Sequence, residues 1–185
     1  MIKIKLPATK NQRYIENFFI KKNLKSIVDF SKKEQISVNQ MKYEETYIPY
    51  LSKLYRLYQF VLINKRTTVF EFGSGWSTLI FSLALKELRD KFSKEVKQLR
   101  RNNPFELFVL ENEKKYLSIS KNRVQKLNKS LKINNPVKIN YYLSDVEMTL
   151  FNDKICTQYK KLPLCNPDFI YLDGPDQFNV KKDIN

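Results

Sequence analysis

The sequence predicts an α/β protein with a doubly wound, mostly parallel sheet of strand order 3-2-1-4 and a helical N-terminal extension. Three observations carry that expectation. The β-branched and aromatic run Thr67 to Phe72 meets a glycine turn and then a long helical pattern, the order in which a strand opens a right-handed crossover. A further apolar run at Phe105 to Leu110 reads as a strand buried on both faces, and Pro167 to Leu172 as another strand. Between the runs, apolar residues recur every three or four positions, the period of an amphipathic helix.

Residues 1–48 are polar and basic, with apolar clusters at Ile15, Phe18, Phe19 and at Ile27, Val28, Phe30. One or two short helices forming an appendage or lid are expected there. The main domain, residues 49–185, opens with a helix that has Pro49 near its first turn and Leu51, Leu54, Tyr55, Tyr58, Val61 and Leu62 on one face. After the first strand, a helix from Ser77 runs past Leu88 toward Leu99, with Glu87 and Lys91, and Asp90 and Lys94, at i,i+4 spacing. Asn102, Asn103 and Pro104 stop it. The next helix repeats Tyr116, Ser120, Val124, Leu127 and Leu131 and halts at Asn134, Asn135, Pro136. Val137 to Leu143 reads as a third strand, Asp145 to about Lys160 as a weaker helix, and Pro167 to Leu172 as a fourth strand ending at Asp173. Only residues 174–185 remain, so the fold is expected to be incomplete at the C-terminus, with later strands missing. An apolar fourth strand left as an edge is then expected to be covered by more chain or by an oligomer.

Composition narrows the function. Histidine is absent, which excludes Ser-His-Asp and Cys-His triads, His-ligated metals and a His base from this chain alone. Cys156 and Cys165 are too far apart for a CxxC pair, and no metal site is expected. The N-terminus lacks the apolar core of a secretory signal, and no apolar stretch approaches the roughly 20 residues of a membrane span. A cytoplasmic protein is the default. The formal charge of +15 attracts polyanions, but the basic residues are dispersed along a chain rich in Lys, Asn and Ile and poor in Gly and Ala. Nucleic-acid binding is therefore the disfavoured alternative.

Chemistry concentrates at Glu71-Phe72-Gly73-Ser74-Gly75-Trp76-Ser77. Gly73 permits a tight turn, Gly75 lets backbone approach a ligand, and the following helix start offers free N–H groups. Ser77 stands where a dinucleotide fingerprint has its third glycine, and Glu71 would repel a pyrophosphate but suit a cation. Glu111, or alternatively Glu113, ends the second strand, where a solvated start-of-helix carboxylate is the plain reading. Ser144-Asp145 suits a helix cap. Asp173 closes the fourth strand, facing the crevice of a parallel sheet.

The stretch Val69 to Leu79 resembles motif I of class I, Rossmann-like S-adenosylmethionine-dependent methyltransferases, in a form similar to small-molecule and sugar methyltransferase-like proteins. Phe108-Val109-Leu110-Glu111 resembles motif II, Leu143-Ser144-Asp145 the adenine-contacting motif, and Phe169 to Asp176 motif IV. The resemblance implies S-adenosyl-L-methionine as cofactor, held by Glu71, Gly73, Ser74, Gly75, Trp76, Ser77, Glu111 and Asp145. It implies a small-molecule acceptor methylated at oxygen, with Asp173 as the catalytic residue. The rivals are a non-catalytic module binding nucleic acid or a protein partner, and a nucleotide-dependent oxidoreductase.

Overall fold

The computed structural model describes residues 3–33 and 47–175. Its elements are α1 (Gln12–Lys21), α2 (Lys25–Ser31), α3 (Leu51–Ile63), β1 (Thr68–Phe72), α4 (Trp76–Lys97), β2 (Glu106–Glu111), α5 (Lys114–Ser130), β3 (Ile139–Leu143), β4 (Val146–Phe151), β5 (Lys154–Tyr159) and β6 (Phe169–Leu172). Four strands pair in parallel in the order β3-β2-β1-β6. This is the expected 3-2-1-4 order, the fourth parallel strand being β6.

Strand alternation divides the side chains between two faces. Val69, Leu107, Val109, Ile139, Phe169 and Tyr171 face the helices and share one core with α3, α4 and α5. Ile15, Phe19, Leu24, Ile27 and Val28 join that core, so α1 and α2 pack onto the α/β body. Asn11 caps α1 by accepting from the Tyr14 amide at 2.9 Å. Glu87 on α4 ties the layer together: it accepts from Lys22 at 2.8 Å, from Lys91 at 2.7 Å and from the Tyr58 hydroxyl. Burial pushes its pKa up, but these donors prevail and hold it at about 2. The expected Glu87–Lys91 pair forms, while Asp90 pairs with Lys86 one turn back.

The opposite face carries Phe70, Phe108 and Leu110. No helix crosses it among the described residues. The helix expected from Asp145 to Lys160 is instead the antiparallel hairpin β4–β5, whose base residues Val146 and Tyr159 cover that apolar patch. The physical reason lies in the turn. Asn152 and Asp153 both have positive φ, 49° and 60°, the conformation that closes a two-residue hairpin and that Asn and Asp tolerate best among side-chain-bearing residues. Thr, Val, Ile and aromatic residues around it favour strands. Beyond the hairpin, β6 pairs only with β1 among the described residues, and its Ile170 and Leu172 are 54% and 71% exposed.

At the other end of the sheet, the Asp168 carboxylate fastens β6 to β1 by accepting from the Thr67 and Thr68 amides at 2.9 and 3.0 Å. Arg101 pairs with it at 3.2 Å. Between sheet and helices, Phe81 is fully buried and meets the rings of Phe169 and Tyr171 edge-on. Phe81→Ala is expected to cost about 3–5 kcal/mol of unfolding free energy in urea titration. Asp153→Gly, which relieves a left-handed residue in the hairpin turn, is expected to raise stability by up to roughly 1 kcal/mol.

Candidate functional site

Where β1, β2 and β6 end, their loops part around a cavity of about 400 Å³. Its position follows from topology. Strand β1 sends its crossover toward β2 while β6 lies on its other side, and the crevice at such a reversal is where open α/β sheets hold ligands. The glycine turn Gly73 to Ser77 forms one wall, Glu111 and the Tyr116, Ile119 and Arg123 side of α5 another. Asp173, Gly174 and Pro175 lie on the third side, and Tyr47 to Tyr50 with Lys53 and Leu54 complete the lining.

All three glycines of the chain meet here. Gly73 has φ 90°, and a Cβ on it would lie 3.0 Å from the Gly174 nitrogen. A Cβ on Gly174 would in turn fall 2.9 Å from the Gly73 Cα. The two loops thus touch backbone to backbone, and Gly73 is required by that contact and by its turn. Gly75 differs: a Cβ there would find nothing nearer than the Ser77 hydroxyl oxygen at 4.0 Å. It borders open cavity. Elsewhere, positive-φ positions are filled by Asn23, Lys65, Phe105, Lys132, Asn152 and Asp153.

Glu71 does not line the cavity. It is fully buried under the turn, accepting from the Ser77 hydroxyl and from Thr78 Oγ1 at 2.6 Å, while the Thr78 hydroxyl also accepts from the Gly75 amide at 3.1 Å. Burial raises its pKa to about 8 against the lowering effect of those hydroxyls. The direct cofactor contact expected of Glu71 is therefore replaced by an internal brace. Burial favours its neutral form, which weakens the repulsion of pyrophosphate that its charge would exert.

Glu111 meets its expectation of place. It stands at the end of β2 in the cavity wall, 3% exposed. Ser74 Oγ donates to Oε2 at 2.7 Å, and the amides of Asn112 and Glu113 donate to Oε1 at 2.8 and 3.0 Å. Burial raises its pKa, opposed by these donors. The two amides fill Oε1, which leaves Oε2 as the less occupied oxygen. Glu113 is outside the lining.

Asp173 also borders the cavity, and Lys53 Nζ donates to its Oδ1 at 2.8 Å. Trp76, the single tryptophan of the chain, donates its indole N–H to the Tyr47 carbonyl at 3.0 Å. The Arg123 guanidinium lies 3.7 Å from its ring centroid, a cation–π stack. Burial lowers the Arg123 pKa to about 10, so it stays charged at neutral pH.

Asp145 is not part of this assembly. It is exposed at the base of the hairpin, where its carbonyl accepts from the Lys160 amide at 2.9 Å and Ser144 Oγ accepts from the Lys161 amide at 2.9 Å. Its cap role presumed a following helix, and the strand β4 follows, while the cavity lining does not include it. Asp176 lies outside the described residues. Lys53, Tyr116 and Arg123 escaped the sequence reading, since nothing local separates them from the many other basic and aromatic residues. Among the described residues no group of three or more His, Cys, Asp or Glu is placed to hold a metal. Comparison with protein-family models, curated proteins and solved structures found no match for this chain.

Two substitutions separate folding from ligand space. Gly73→Ala is expected to lower stability by about 1–3 kcal/mol through strain at positive φ, whereas Gly75→Ala leaves the melting temperature within about 2 °C and narrows the cavity. Calorimetric scans of both variants check this. Glu71 supplies a pH test. Its folded pKa of about 8 lies above the ordinary carboxyl value, so the folded state binds more protons between those values. Stability is fully present below the unfolded pKa and is lost as pH rises toward 8. Glu71→Gln, which removes that titration, is expected to gain on the parent protein steadily from pH 5 to pH 8 in denaturant titrations.

Proposed function

We propose that the cavity binds S-adenosyl-L-methionine and that the chain is a methyltransferase, or the cofactor-binding part of one, acting at oxygen on a small molecule or sugar. The observation that carries this reading is the pairing of Gly75, which borders open space, with the fixed carboxyl of Glu111 across the same cavity. A volume of about 400 Å³ falls within the range of small-molecule and cofactor sites. With Glu71 buried outside the lining, Glu111 and Asp173 are the cavity's acidic groups. They suit the cationic end of such a cofactor, with Lys53 and Arg123 of the same lining balancing their charge.

When bound, the cofactor supplies an electrophilic methyl group on a sulfonium. The chain's part is to orient. Glu111 would hold a ribose hydroxyl, the Gly73 to Ser77 turn would take the amino-acid end, and Trp76 and Arg123 would bound the side against α5. Asp173, at the mouth, accepts the acceptor's proton. Most of the acceleration then comes from alignment.

Trp76 makes binding visible. Titration with S-adenosylmethionine or S-adenosylhomocysteine is expected to change its fluorescence, with NAD giving weaker binding or none. Glu111→Ala is expected to weaken either ligand by about tenfold or more, from loss of a charge-assisted hydrogen bond. Equal or tighter binding of NAD, or unchanged affinity in Glu111→Ala, counts against this function.

A further inference from the structure

Resting on the reading of the cavity as a sulfonium-cofactor site, we propose that Lys53 is a specificity-determining residue, which by pairing with Asp173 withholds that carboxylate from a cationic ligand centre and sets the preference between sulfonium cofactor and neutral thioether product. Three carboxyl groups surround the glycine turn, and each is held differently. Glu71 is sealed beneath it by Ser77 and Thr78. Glu111 is fixed by Ser74 and two amides. Asp173 alone among them is balanced by a cation, Lys53 at 2.8 Å, with both side chains about half exposed.

The geometry puts this pair beside the place where a ligand's charge would lie. The Asp173 amide donates to the Phe72 carbonyl at 2.9 Å, and Gly73 and Gly174 meet backbone to backbone. The Asp173 carboxyl is therefore carried next to the glycine turn and cannot swing away with its loop. Lys53 comes from another element. Leu54, Tyr55 and Tyr58 bury α3 in the core, and the Lys53 ammonium lies 5.5 Å from the Tyr171 ring centroid. Its position is thus set by helix packing, independently of the loop it pairs with. Removing the ammonium would leave a net negative charge at the mouth, and removing the carboxylate a net positive one. At a half-exposed site, one unit charge acting on another across several ångströms is expected to alter affinity about three- to tenfold.

Calorimetric titration of the full chain with S-adenosylmethionine and S-adenosylhomocysteine tests the idea through the ratio of the two affinities. A purely structural role would shift both ligands together. Lys53→Met is expected to move the ratio about three- to tenfold toward S-adenosylmethionine. Asp173→Asn is expected to move it by a similar factor the other way, and keeps the test open should Lys53→Met fold poorly. Lys53→Arg, which preserves the charge, holds the parental ratio within about twofold, and Lys53→Met combined with Asp173→Asn returns close to it. An unchanged ratio in both single variants, or shifts of the same sign, overturns the role of Lys53 while leaving the cofactor reading intact. Failure of the parent protein to bind either compound overturns both.

Discussion

The site depends on one buried carboxyl group. Glu71 sits on the helix-facing side of β1, and its two oxygens are taken by hydroxyls from the first turn of α4. That brace joins the end of a strand to the start of the next helix across a turn of three residues. Because Thr78 also accepts from the Gly75 amide, one network fixes the turn at both its strand and helix ends. A buried carboxyl is stabilising here only because its oxygens are hydrogen-bonded, and burial also favours its neutral form. The residue that looks most like a ligand contact in the sequence lies one layer beneath the cavity wall.

A second constraint is the close approach of the β1 and β6 loops. Gly73 and Gly174 touch with no room for a Cβ on either, bringing Asp173 to the wall that Gly75 faces. The scarcity of glycine sharpens the point. Among the described residues, six positive-φ positions elsewhere are filled by residues that bear side chains, so there a turn alone does not call for glycine. Gly73 and Gly174 stand where backbone meets backbone, Gly75 where backbone meets open space.

The electrostatics of the cavity differ from those of the chain as a whole. A protein of net charge +15 gathers Glu111 and Asp173 around its crevice, with Lys53 balancing one carboxylate and Arg123 stacked on Trp76 at the opposite side. Local arrangement, and not net charge, governs which ligand fits.

The sequence by itself determined the parallel core. Thr67 to Phe72, Phe105 to Leu110, Val137 to Leu143 and Pro167 to Leu172 overlap its four strands, legible from β-branched and aromatic residues bounded by turn signals. That Glu111, Asp173 and the glycine turn lie at strand ends bordering the crevice was legible because strand ends and glycines are local features. The helix expected from Asp145 to Lys160 overlooked the turn signal that Asn152-Asp153 carries between two β-branched stretches. Only the tertiary structure decided that Glu71 turns inward, that Asp145 leaves the site with the hairpin, and that Lys53, 120 residues before Asp173, comes to neutralise it. Period and turn chemistry act over a few neighbouring residues, whereas burial and charge pairing depend on which distant segments the packed core brings together.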